Sequence, residues 1–133
     1  MKAFLYIQLS AGKDLPYQQP ILSAVKEALP DVTVLDIDLD TDKLTLQMAT
    51  RLLEEATQAV VCIKGEQEQA GFGSILPLFE ALLTPHQNRL LLILGQPARL
   101  LRMLQARPQL LVKQVQSETE IVQQAAVFFG ELD

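Results

Sequence analysis

A chain of 133 residues, 49% of them hydrophobic, has one domain's length and enough apolar material to fill a core. No apolar run nears the roughly 18 residues that cross a bilayer, and the start "MKAFLYIQLSAGKD" turns polar too early for a secretory leader, so a cytoplasmic protein without membrane attachment is expected. A net charge of −5 with five Phe, two Tyr and no Trp is a poor background for neutralising a phosphate backbone or stacking bases, which argues against nucleic acid as a partner.

Short apolar runs alternate with longer stretches of helical period, the pattern of parallel strands joined by crossover helices. The first strand is predicted over Ala3 to Leu9 and runs into Ser10, Gly12, Lys13 and Asp14. A phosphate-binding P-loop would need glycine where Ile7 stands and a hydroxyl where Asp14 stands, so that reading fails. Pro20 fits the first turn of a helix that Pro30 stops. The second strand, Val32 to Ile37, ends in "DIDLDTD", with Asp36, Asp38, Asp40 and Asp42 at alternate positions. Lacking the glycine and glutamate of a calcium loop, this run reads as a solvated strand end that feeds negative charge into a helix N-terminus. Thr41 or Asp42 caps that helix, whose Leu44, Met48, Leu52 and Ala56 recur every four residues.

The third strand, Ala59 to Ile63, carries the single cysteine, Cys62, as a small buried hydrophobe. Gly65, Gly71 and Gly73 mark a loop long for a crossover, hence a candidate functional loop. Ser74 is expected to open a helix apolar almost all round, from Ile75 to Leu83, in which Glu80 is the sole charge and by default points to water. The one histidine, His86, lies in a turn, and no metal role is assigned to it. Leu90 to Leu94 is the fourth strand, Pro97 opens the fourth helix, and Leu110 to Val115 is the fifth strand. Ser117 with Glu120 forms a capping box for the last helix.

The second and fifth strands mix polar residues into their apolar runs and so belong at the edges of the sheet. That gives a single α/β domain over residues 1–133, a three-layer doubly wound sandwich with a five-stranded parallel sheet in the flavodoxin-like order 2-1-3-4-5. Ligands in such folds sit beyond the carboxyl ends of the strands where strands 1 and 3 diverge, which nominates Ser10, Gly12, Lys13, Gly65, Gly71, Gly73 and Ser74 as a crevice. The strand ends lack the clustered acids of a response-regulator receiver. Flavodoxin's first loop is only faintly echoed, and no Trp is present to sandwich a flavin. Charge is polarised as well: from Ala81 to Ser117 there are five basic residues and no acid, leaving six basic against sixteen acidic residues elsewhere. Such a dipolar molecule favours an anionic partner or head-to-tail contact with its own copies.

The order of parts resembles the Toll/interleukin-1 receptor (TIR) domain family. "FLYIQLSAGKD" is similar to that family's apolar strand running into Ser-x-x-Asp/Glu, with Ser10, Lys13 and Asp14 matching, and "RLLEEATQAVVCIKG" resembles its passage from second helix to third strand. "SILPLFE" keeps Ser74 and Glu80 at the spacing of Ser-x-Trp-Cys-x-x-Glu, with Leu76 and Pro77 in place of Trp and Cys. The resemblance implies either a signalling assembly module or an NAD-cleaving glycohydrolase in which Glu80 is the catalytic carboxylate. Three readings therefore stand. The first is a protein-interaction module needing no cofactor, which docks or self-associates through Asp38, Asp40 and Asp42 on one side and Arg99 and Arg102 on the other. The second is the NAD glycohydrolase, and the third a nucleotide or flavin binder without chemistry.

Overall fold

The computed structural model describes residues 1–9, 20–65, 75–84 and 88–130. Strands and helices alternate along them: β1 (Lys2–Gln8), α1 (Pro20–Ala28), β2 (Val32–Ile37), α2 (Lys43–Glu55), β3 (Gln58–Gly65), α3 (Leu76–Leu82), β4 (Arg89–Gly95), α4 (Ala98–Gln105), β5 (Val112–Val115) and α5 (Glu118–Phe129). Every strand pairing is parallel, and the order across the sheet is β2-β1-β3-β4-β5. The doubly wound α/β sandwich expected from the apolar runs is the fold.

The alternation of side chains along a strand divides the interior in two. Ala3, Leu5 and Ile7 of β1, Val61 and Ile63 of β3 and Leu91 and Ile93 of β4 pack with Ala49 and Leu53 of α2, Leu78, Phe79 and Leu82 of α3, and Leu100 and Leu104 of α4. The intervening residues, Phe4, Tyr6, Val60, Cys62, Leu90 and Leu92, pack on the other face with Ile21 and Val25 of α1 and Ile121, Ala125 and Phe129 of α5. Central strands buried on both faces are apolar along their middles, with buried Gln8 and Arg89 at the ends of β1 and β4, whereas β2 and β5 have one neighbour each and tolerate exposed Thr33, Lys113 and Gln114.

Helix ends follow local chemistry. Ser117 is the N-cap of α5: its hydroxyl accepts from the Glu120 N–H at 3.3 Å, while the Glu120 carboxylate accepts from the Gln116 N–H at 2.6 Å. Gly130 ends the helix in a left-handed conformation. Asp42 occupies the N-cap position of α2, but its carboxylate accepts from the Thr45 hydroxyl rather than from a backbone N–H. The expected opening of α3 by Ser74 lies outside the described residues.

Two expectations change. The buried face of α2 is set by Ala49 and Leu53, with Ala56 just beyond its end, whereas Leu44 and Met48 are 66% and 57% exposed. Arg89, one of the five basic residues between Ala81 and Ser117, is only 8% exposed and so adds little to a basic surface. It sits at the start of β4, and its guanidinium donates to the Ala81 carbonyl at 3.0 Å and the Leu53 carbonyl at 3.4 Å, near the C-terminal ends of α3 and α2. Helix C-termini expose carbonyls with no partner inside the helix, and one cation here serves two of them. Burial pulls the Arg89 pKa down from its usual value, and the nearby Glu54 opposes that.

Replacing Arg89 with Met should keep the volume but strip the Leu53 carbonyl of this donor and leave the Ala81 carbonyl only the Thr84 N–H at 3.3 Å. We expect a loss of about 2–4 kcal/mol in denaturant unfolding, with Arg89→Lys intermediate because an ammonium cannot fork to both; an unchanged midpoint for Arg89→Met would dismiss the staple.

Candidate functional site

In an open doubly wound sheet the carboxyl ends of the strands face one way, and the chain leaves them for opposite faces. Here α1 follows β1 onto one face and α3 follows β3 onto the other. Beyond the ends of β3, β4 and β5 lies a recess of about 460 Å³ lined by Lys64, Gly65, Gly95, Gln96, Ser117 and Glu118 among others. Lys64 comes from β3, and Glu118 from the first turn of α5, so the recess carries one charge of each sign.

Its floor depends on two glycines that face each other in the β3–β4 register. Gly95 has φ of 91°, and a Cβ there would lie 2.2 Å from the Gly65 carbonyl oxygen. That oxygen accepts from the Gln96 N–H at 3.1 Å, so the two chains remain tied as they leave the sheet. Only glycine permits both the backbone conformation and the approach.

Beneath the recess the face becomes less polar. Tyr6 is fully buried and receives a side-chain hydrogen bond from Gln8; burial is the main cause that pushes its phenol well above the usual range, with neighbouring Cys62, Glu118 and Asp36 adding to the rise. Burial likewise pushes the Cys62 thiol up to about 12, although Lys64 pulls the other way. A thiol so protonated at neutral pH is no nucleophile. The described part of this site can therefore bind polar groups through Lys64, Glu118 and the amides, but it offers no activated nucleophile.

Of the crevice residues nominated by sequence, Gly65 is in the recess; Ser10, Gly12, Lys13, Gly71, Gly73 and Ser74 lie outside the described residues, as does His86. Glu80 is on the exposed side of α3 and lines neither this recess nor a second one between α2 and α3. A carboxylate facing water lacks the dry wall that lends such a group its leverage on developing charge.

Asp38, Asp40 and Asp42 form the turn from β2 to α2. The Asp38 N–H donates to the Thr41 hydroxyl at 2.8 Å, and the Asp38 carboxylate accepts from the Asp40 N–H at 2.7 Å. Arg99 and Arg102 are exposed on α4. Lys64, Gly95, Gln96 and Glu118 were not singled out by sequence. The available signal was that the apolar runs of β3 and β4 both end in glycine, as "CIKG" and "LILG".

No group of three or more metal-ligating side chains gathers among the described residues, and no described helix is long and apolar enough to cross a membrane. Neither models of known families, nor the curated proteins, nor the solved structures match this chain.

Two measurements probe this region. Gly95→Ala should cost more than about 3 kcal/mol, combining strain and a backbone clash, whereas Gly130→Ala, also at positive φ but with nothing within 4 Å, should cost about 1–2 kcal/mol; equal losses would refute the close approach. The second concerns Asp36, whose carboxyl is held above its usual value first by burial and then by repulsion from Asp38. An acid whose folded pKa is raised costs stability while ionised, and the cost disappears as pH falls through the folded value. Asp36→Asn should therefore melt higher than the native chain at neutral pH, with the gap closing below about pH 3.8, where the carboxyl is protonated folded or unfolded; a gap independent of pH would contradict this.

Proposed function

We propose that this domain is an assembly module of the TIR-like or flavodoxin-like kind that docks head to tail, the acidic turn of one copy meeting the basic α4 side of the next. The observation that carries the reading is the separation of opposite charges to opposite edges of one sheet. Asp36, Asp38, Asp40 and Asp42 follow from β2 at one edge, while Arg99, Arg102, Arg107 and Lys113 belong to α4, its exit and β5 at the other. Four strand spacings lie between those edges, about 19 Å, more than the screening length at physiological salt. The two patches therefore act on a neighbour rather than cancelling each other.

Each edge also supplies exposed apolar surface. Leu44 and Met48 follow the acidic turn on α2, and Leu111, 49% exposed, precedes β5. A contact with apolar contribution inside a charged rim has the anatomy of protein interfaces. The Asp36 pKa is raised first by burial and second by repulsion from Asp38, and a cationic neighbour would relieve the second. The contact is heterologous, one surface against a different one, so each added copy leaves a free end.

Neutralising one surface at a time tests this. Asp40→Asn/Asp42→Asn and Arg99→Gln/Arg102→Gln should each be monomeric by light scattering at low salt, because every contact needs both surfaces. Their equimolar mixture should form a capped dimer through the intact acidic turn of one and the intact arginines of the other. A mixture no heavier than its components would refute the docking mode.

A further inference from the structure

The face of the sheet that holds α2 and α3 carries a recess of its own, which begins at Lys43 just after the acidic turn and runs along α2. It measures about 540 Å³ and runs between the two helices, with Leu46, Pro77 and Leu78 among its walls and Lys43, Arg51 and Glu54 along its α2 side. Pockets of this size take small organic ligands. The α2 side is ordered by helix geometry: Lys43, Gln47 and Arg51 recur every four residues and form one stripe of hydrogen-bond donors, and Glu54 follows at the lower end. Among the described residues neither Lys43 nor Arg51 has an ion-pair or hydrogen-bond partner. The opposite wall, Pro77 and Leu78 at the start of α3, is apolar, and the stems of Lys43 and Arg51 extend that surface.

We propose that this groove binds a single-chain amphiphile with an anionic head, a free fatty acid of medium length. The carboxylate lies along the Lys43–Gln47–Arg51 stripe, where an ammonium, an amide and a guanidinium all donate. The acyl chain lies on the half-buried Leu46 and the exposed Pro77, which it removes from water, beside Leu78, which is already buried. Charge selects the head group. Two cations without partners favour an anion, and Glu54 at the end of the stripe repels one placed there, so the ligand has a defined direction. Filled with water, the groove leaves Pro77 and part of Leu46 wet and, among the described residues, two cations unmatched; a neutral alcohol answers only the first and a cationic surfactant opposes the second.

Decanoate, decanol and decyltrimethylammonium, each below its micelle concentration, can be titrated into the full chain and followed by amide chemical shifts. Decanoate should bind tightest, with shifts concentrated in α2 and the start of α3. Lys43→Glu/Arg51→Glu, exposed positions whose exchange leaves the core intact, should weaken decanoate roughly tenfold, the size of about 1.4 kcal/mol of lost charge pairing, and leave decanol unchanged. Gln47→Trp, which fills the groove from a surface position, should abolish both. Decanoate binding no tighter than decanol, insensitivity to the charge reversal, or shifts confined to the carboxyl edge of the sheet would each overturn the proposal. Because none of these substitutions touches Asp40, Asp42, Arg99 or Arg102, the outcome is separate from that of the docking test.

Discussion

Parallel pairing of β1 with β2 on one side and β3 on the other is the constraint on which the molecule depends. Two parallel neighbours cannot be joined by a tight turn, so each strand must be followed by a crossover along a face of the sheet. With helices on both faces the middle strands lose all access to water, and only residues such as Phe4, Leu5, Val60, Val61, Leu91 and Leu92 can occupy them. The same constraint sends every strand's carboxyl end to one side, which gathers Lys64, Gly95 and Glu118 from three separate segments into one recess.

At the opposite end of the sheet, the problem is helix termini. Helices that descend over a face deliver their C-terminal carbonyls beside the starts of the strands, inside the protein. Arg89 answers this for α2 and α3 together. Lys2 does similar work on the other face, its ammonium donating to the Phe129 carbonyl at 3.1 Å near the end of α5. At the carboxyl end, β3 and β4 stay together as they leave the sheet through the facing glycines Gly65 and Gly95.

The fold was legible because its central strands are apolar along their middles, with polar residues only toward their ends: "FLYIQL", "AVVCI" and "LLLIL" admit few other readings. The edges were legible for the converse reason, since polar residues inside β2 and β5 require an open side. The rotation of α2 was not. Leu44, Met48 and Leu52 repeat every four residues as cleanly as the core-facing Leu46, Ala49 and Leu53, and periodicity cannot choose between two apolar stripes; packing against the sheet does. Glu80, as the sole charge of an apolar helix, was expected by default to point to water, and it does. The role of Arg89 had no sequence signal beyond its charge, since the carbonyls that hold it come from residues 36 and 8 positions earlier in the chain.

What emerges is a scaffold whose charge is sorted by topology: strand order alone carries the acidic turn and the basic helix to opposite ends. We propose that these ends attract one another between copies. Sedimentation mass of the native chain against concentration decides it, at low ionic strength and at ~0.5 M salt, where the screening length falls to a few ångströms. Head-to-tail docking requires a mass that climbs past the dimer at low salt without a plateau and falls back toward the monomer at high salt. A chain that stays monomeric at low salt, or stops at a closed dimer, would contradict it.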